Sequence, residues 1–434
     1  MKLNDDEKAM RDGRDGPAIA KAMDLLVRYG EALGADDLIN VSNVAGTVGA
    51  TTPFMREYAE QNGGMDGVFS AFNLDSDETV EIPKFKVYTT HLQLGMDPGS
   101  PEEFDLSEEV IQVYKRGEAY TNARGMQTVN SCTPYLVGNV PVRGEHLAWM
   151  ESSAVVYANG ALGARTNTEG RESTGAAALT GKIPNWGLHL DKNRLGTDLI
   201  ELEVALQTTA EWGMFGYWLG EIVQERVPVV SGVGGTIIAS PNLQKLKHFG
   251  AAAASSGGVE MYHLVGVTPE AGSIEQAFGG ARGAPAVRYG KAQMRETWEK
   301  LNTTATDNKI DYVMLGCPHY SIEQIWEAAR LIEGRKVHKD SALWIFTPRA
   351  IKALADQNGY TKIIEQAGGR LMSDTCSAMS RAVPKGTRVA AFDSAKQVHY
   401  LPAIMGIQGW FGTTAQCIDA AVTGRFEGTA NDIA

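Results

Sequence analysis

Cysteine is scarce in this chain, with 4 among 434 residues, which excludes a disulfide framework as the source of stability. No apolar run approaches the roughly 18 residues of a membrane-spanning helix, and the charged opening from Met1 to Asp15 lacks the apolar centre of a signal peptide. Positive charge is in deficit: 40 Lys and Arg stand against 52 Asp and Glu, a formal net charge of −12. That balance argues against nucleic acid or an anionic membrane as a partner, and any anionic substrate needs a local basic pocket. Neither an internal repeat, a low-complexity tract, a suggestive carboxylate pair nor a Ser-His-Asp arrangement is found. Gly232-Val233-Gly234-Gly235 lacks the full glycine spacing and the acidic residue of a dinucleotide loop. What remains is a cytoplasmic globular enzyme, whose apolar fraction of 43% and length suffice for a large core in two or three packed units.

Periodicity divides the chain near residue 227. Residues 1–226 read as an α/β region that opens with a helix from about Asp15 to Leu33, ended by Gly34, and has another near Leu106 to Ala119. From 227 to 434, short apolar strands alternate with amphipathic helices. Strands are expected at Val227 to Val230, Met261 to Val267, Tyr312 to Leu315, Leu343 to Phe346 and Val389 to Phe392. Helices are expected near Ile322 to Glu333, Arg349 to Asn358 and Ile363 to Ala367. This alternation is the mark of βαβ units and a parallel sheet, in which ligands gather beyond the carboxyl ends of the strands. Cys317 and Lys396 both follow such strands closely, so they are expected on one rim. Gly279-Gly280-Ala281-Arg282-Gly283 reads as a flexible loop.

Three of the cysteines sit in short polar turns: Asn130-Ser131-Cys132-Thr133-Pro134-Tyr135, Gly316-Cys317-Pro318-His319-Tyr320-Ser321 and Ser373-Asp374-Thr375-Cys376-Ser377. Such flanks suit ligands better than packing. One iron–sulfur cluster on three thiolates would keep an iron open to water or substrate, as Lewis-acid chemistry requires. Zinc in a Cys3His site with His319 is the competing reading, although the Cys317 to His319 spacing is unlike a zinc finger. Three unrelated buried thiols is the bland one. Cys417, within Ala415-Gln416-Cys417-Ile418-Asp419-Ala420-Ala421-Val422, reads as packing in an amphipathic helix.

A second cluster of chemistry runs through Glu151-Ser152-Ser153-Ala154, Asn159 and Arg165-Thr166-Asn167. An arginine fork with hydroxyls and amides around it suits a carboxylate, and helix capping explains the serines equally well. Lys396 suits the neutralising of an acidic substrate or proton transfer, or else a solvated loop.

These segments resemble the large subunit of the aconitase X family. The resemblance rests on Ser131-Cys132-Thr133-Pro134-Tyr135, Gly138-Asn139 with Pro141, Glu151-Ser152-Ser153-Ala154, Asn159 and Leu162-Gly163-Ala164-Arg165-Thr166-Asn167. It continues through Leu179-Thr180-Gly181, Gly316-Cys317-Pro318-His319, Ser394-Ala395-Lys396 and an opening similar from Asp15 to Met23, so it spans most of the chain. It implies an aconitase-like architecture of multi-layer α/β/α units with parallel sheets around a shared active-site cleft. It also implies a hydro-lyase with a cluster, of 2Fe-2S, 3Fe-4S or 4Fe-4S type, on Cys132, Cys317 and Cys376. Ser152, Ser153, Asn159, Arg165, Thr166, His319 and Lys396 become the expected substrate-binding set. Bacterial members act as cis-3-hydroxy-L-proline dehydratases and archaeal ones as phosphomevalonate dehydratases, and the former is the expected activity here. The superfamily adds a small swivelling domain that carries a catalytic serine; the chain ends at Ala434 without room for it, so a small partner subunit is expected to bring the base. The chain departs from the superfamily in having no Cys-x-x-Cys pair, as aconitase X members do. It departs from the family in reading Ser42-Asn43-Val44-Ala45-Gly46 where a histidine is usual, and in the poorly matched stretch from Thr47 to Arg124. Those departures point to another hydroxy-acid substrate as the alternative, and a non-catalytic metal-binding subunit is the rival from outside enzymology.

Overall fold

A computed structural model describes residues 1–46, 53–233, 241–281 and 285–430, with only the backbone for 53–56. Three parallel sheets follow one another along the chain. The first pairs Asn43–Gly46 with Tyr88–His91 on one side and Leu147–Trp149 on the other. The second has the order His263–Leu264, Pro228–Ser231, Asp198–Leu202, Val287–Tyr289. The third has five strands, in the order Arg370–Ser373, Ala342–Thr347, Tyr312–Leu315, Val389–Phe392, Gln408–Phe411. A short antiparallel pair, Leu38–Asn40 with Lys182–Pro184, closes the N-terminal region.

The sheets share a core. One continuous apolar cluster takes Ala45 and Leu147 from the first sheet, Ile200 and Val230 from the second, and Met314, Phe346 and Phe392 from the third. A second cluster, under helix Pro17–Leu33, belongs to the N-terminal region alone, and a third backs the other face of the five-stranded sheet. The expected division at 226/227 falls inside the second sheet, where Asp198–Leu202 pairs with Pro228–Ser231. Behind that sheet, helices Thr209–Val223 and Leu243–Gly257 press together. A Cβ on Gly257 would lie 1.9 Å from the Gly220 carbonyl oxygen, so this approach needs glycine on both helices.

The expected helices stand at Pro17–Leu33, Glu108–Ala123, Ile322–Ile332, Arg349–Gln357 and Tyr360–Gln366. Proline in the first turn and left-handed Gly34 after the last explain the sharp ends of the first of these. The strand expected from Met261 to Val267 is short, because Val267 N–H turns back to the Leu264 carbonyl. The segment Gly234-Gly235 and residues Arg282 and Gly283 of the expected glycine loop lie outside the described residues.

Candidate active site

Cys317 lies two residues beyond Leu315 and Cys376 three beyond Ser373, both past the carboxyl ends of parallel strands in one sheet. Lys396 follows Val389–Phe392, the strand adjacent to Tyr312–Leu315, and reaches the same rim as expected. Gly316 makes the first of these turns possible: its φ is +96°, and a Cβ there would stand 2.2 Å from the Phe346 carbonyl oxygen. Cys132 arrives from the N-terminal unit. The three thiols are 6%, 9% and 6% exposed and belong to no disulfide.

His319 joins the three segments. Its Nε2 lies 2.8 Å from the Thr375 carbonyl oxygen and so carries the proton, which leaves Nδ1 to accept from Ser131 Oγ at 3.2 Å. Gln93 Nε2 stands 3.0 Å from the ring Nε2, and the amide accepts the ring Nε2–H only when flipped to present its oxygen. The backbone N–H of His319 donates to Cys132 Sγ at 3.3 Å. The residue before Cys132 and the residue before Cys376 thus meet on one imidazole, itself two positions after Cys317. Burial lowers this imidazole to about 4, with the Thr375 carbonyl opposing, so the ring is neutral at neutral pH. One residue further back the pattern repeats. Asn130 Nδ2 donates to Asp374 Oδ2 at 3.2 Å, and both residues hold positive φ, at 39° and 67°. Asp374 also takes the Arg349 N–H at 2.8 Å and its guanidinium, which Glu118 grips from the other side.

Beside the thiols, Lys396 Nζ donates to Glu151 Oε1 at 2.6 Å, and Ser153 Oγ–H donates to the same oxygen at 3.0 Å. Burial works against the Lys396 charge, but Glu151 and Cys317 outweigh it and hold the ammonium above its ordinary value. Burial likewise pushes Glu151 up, and Lys396 and Ser153 more than reverse this, so the pair is ionised. The thiols go the other way. Burial pushes Cys317 up to about 12, Cys132 well up with Glu151 adding to it, and Cys376 up as well. Cys132 feels both other sulfurs, so the three lie within electrostatic reach of one another.

On the inner side, helix Leu243–Gly257 sends Lys247 into the core. Its Nζ donates to the His319 carbonyl oxygen at 2.7 Å and to Gln324 Oε1. Burial lowers this ammonium to about 7, opposed by Cys132, Asp393 and Cys317.

Other residues of the expected substrate set stand elsewhere. Arg165 bridges His146, at the amino end of strand Leu147–Trp149, whereas Glu151 lies beyond its carboxyl end. Its guanidinium holds the His189 carbonyl at 2.9 Å and the Asp191 carboxylate. Asn159 is buried and spends its amide on the Thr166 and Glu260 carbonyls at 2.8 and 2.9 Å, while its Oδ1 accepts the Thr166 N–H at 3.0 Å. Thr166 Oγ1 accepts the Trp149 N–H at 3.1 Å. These two fasten a wide π-type turn, Tyr157–Leu162, to the next segment and do not reach the thiols. Ser152 faces a separate cavity of about 510 Å³ with Thr168, Trp186, Glu225 and Glu260. Cys132, Cys317, Cys376, Ser153, His319 and Lys396 are brought together; Arg165, Asn159, Thr166 and Ser152 are not. Sequence reasoning passed over Glu151 as a partner of Lys396, and over Lys247 entirely. The one signal for Lys247 was a lysine sharing one helix face with Gly250, Ala251 and Ala254.

Soft sulfur donors in a buried site with a cation beside them suit iron–sulfur ligation. Among the described residues, no three His, Cys, Asp or Glu side chains converge closely enough to hold one metal ion. His319, with both ring nitrogens engaged, offers no fourth ligand for zinc.

Family models of aconitase X cover almost the whole length: the first domain matches residues 1–192, the second 196–299 and the third 310–423. The chain is 36% identical over 424 residues to the phosphomevalonate dehydratase large subunit of Methanocaldococcus jannaschii, which spans 95% of this chain and 98% of that one. It is 33% identical over 434 residues to the cis-3-hydroxy-L-proline dehydratase of Hypocrea jecorina, covering 98% of this chain and 70% of that one. The crystal structure of Thermococcus kodakaraensis aconitase X in its holo-form superposes with a TM-score of 0.79 at 30% identity, over 97% of this chain and all of that one.

Proposed function

The chain belongs to the aconitase X family, and from that premise we propose that it is the large subunit of an iron–sulfur-dependent dehydratase acting on a small hydroxy acid. The observation that carries the reading is the joining of the segments that hold Cys132, Cys317 and Cys376 through buried His319, next to the ionised Lys396 and Glu151. Thiols within electrostatic reach, yet not converging on a single ion, fit a cluster that spreads its ligands over more than one iron. When bound, such a cluster supplies Lewis acidity toward the leaving hydroxyl.

The chain's own residues orient the substrate. Lys396 meets a substrate carboxylate, and Glu151 with Ser153 meets a substrate ammonium, so the pair is complementary to an amino acid zwitterion. This favours cis-3-hydroxy-L-proline, whose C–H beside the carboxylate gives up a proton as the neighbouring C–O bond breaks. Water leaves, and the enamine tautomerises to the cyclic imine acid. The base comes from a small swivel-type partner subunit, as the name "large subunit" borne by relatives suggests. Phosphomevalonate is the second reading, favoured by end-to-end similarity to large subunits that bear that activity in their names.

The test is anaerobic purification with and without the small subunit, followed by iron and sulfide analysis, a visible spectrum and dehydration assays on both substrates. A brown protein active only as the pair, on hydroxyproline, is the expected result. Turnover of phosphomevalonate alone selects the second reading. A colourless or zinc-loaded pair removes the cluster-dependent dehydratase, and a brown pair inactive on both substrates moves the reading to another hydroxy acid.

A further inference from the structure

Lys247 is 1% exposed, and among the described residues it makes no ion pair. The other well-buried lysines are different: Lys182 rests on Glu7 at 2.8 Å and Lys396 on Glu151 at 2.6 Å. Lys247 has a backbone carbonyl, an amide oxygen and the face of the Tyr320 ring, 5.8 Å from its centroid. An ammonium buried on neutral acceptors is costly unless a negative charge lies close by. The titratable groups that face it are Cys132, Asp393, Cys317 and Glu323, and its neighbour His248 is held by the Gln324 amide at 2.9 Å. Two of those four groups become anionic when they ligate iron.

Resting on the function proposed above, we infer that Lys247 is a positioning residue. Its ammonium, whose charge ligated Cys132 and Cys317 favour, balances those two thiolates, while its hydrogen bond to the His319 carbonyl sets the turn that presents Cys317. The location supports both parts. Lys247 comes from the middle unit and holds the His319 carbonyl of the C-terminal unit, whose backbone N–H donates to Cys132 Sγ of the N-terminal one, so one run of contacts links all three.

The experiment uses the full chain with its small subunit, purified anaerobically, and compares wild type with Lys247→Met, Lys247→Arg and Gln324→Glu. Two quantities are read: the rate at which a ferrous chelator strips iron, and the midpoint potential of the visible chromophore. Lys247→Met is expected to lose iron several-fold faster and to shift the potential downward, with Lys247→Arg recovering part of both. Gln324→Glu leaves the lysine in place but sets a carboxylate on it, and is expected to shift the potential in the same direction; it carries the test if Lys247→Met does not fold. Wild-type stripping rates and potential in Lys247→Met, or in Gln324→Glu where the former is unfolded, overturn this inference while leaving the dehydratase standing. Wild-type protein without iron removes the function it rests on.

Discussion

Lys396 and Glu151 stand 245 positions apart in sequence and 2.6 Å apart in space, which locks the rim of the C-terminal sheet to the segment beyond Trp149. Their side chains are 14% and 22% exposed, so each charge depends on the other more than on water. Removing one partner of a buried pair costs about 3–5 kcal/mol, whereas removing both costs far less. Lys396→Met is therefore expected to lower the melting temperature sharply, and Lys396→Met with Glu151→Gln to restore most of it. Turnover stays lost in both. Thermal denaturation and steady-state assays of the cycle check this, and a double variant no more stable than the single one contradicts the pairing.

Much of the C-terminal rim was legible because parallel strands announce themselves: Tyr312–Leu315 and Val389–Phe392 are short apolar runs between amphipathic helices, and residues just past the carboxyl ends of such strands share one edge. The edge strands were harder. Arg370–Ser373 and Gln408–Phe411 carry polar residues and glycine, and only their neighbours make them strands. Arg165 stands apart from the thiols for a reason no local pattern carries. A guanidinium among hydroxyls and amides has the composition of a carboxylate clamp, and the register that pairs His146 with Arg165 sets it at the amino end of the strand, opposite Glu151. The convergence of Ser131, Thr375 and His319 depends on contacts across 188 and 56 positions, which no local pattern encodes.

Cys132→Ser, Cys317→Ser and Cys376→Ser are each expected to abolish or cripple cluster assembly. Cys417→Ser should retain it, since that thiol packs in the core behind the sheet beside Ile418 and Ala421. Iron content per chain is the measurement. Full iron in any one of the first three variants removes that cysteine from the ligand set.

His319→Leu keeps a similar volume but leaves Ser131 and the Thr375 carbonyl without their shared partner in a buried site. Iron content is expected to fall several-fold, and His319→Gln, which can offer both a donor and an acceptor, to recover part of it. Equal iron in the leucine variant and wild type would show that the imidazole does not hold the cysteine segments together.

Arg165→Lys is expected to leave the KM of the confirmed substrate unchanged. The arginine pairs with Asp191, which is 86% exposed, and such a pair contributes about 0–1 kcal/mol. A several-fold rise in KM with stability unaltered would return Arg165 to the substrate site.

Glu169 offers a pH test independent of any metal. The residue is 3% exposed and neither carboxylate oxygen finds a partner in hydrogen-bonding geometry. Burial pushes it up to about 7 from an ordinary 4.5; the nearby Ser173 and Tyr29 hydroxyls draw it back, and Glu260 adds to the rise. Because the folded value lies above the unfolded one, the folded protein binds the extra proton between about 4.5 and 7. Its stabilising contribution is therefore fully present below 4.5 and is lost as pH rises through about 7. Glu169→Gln, neutral throughout, is expected to match wild type in acid and to exceed it above pH 7 by roughly 3–4 kcal/mol, since each pH unit between the unfolded and folded values is worth about 1.4 kcal/mol. Urea unfolding of both proteins across this range measures the difference directly. A constant offset would mean that the substitution changes packing alone, and a wild type that gains stability toward alkaline pH relative to the variant would place the carboxylate of Glu169 in a charged, partnered state instead.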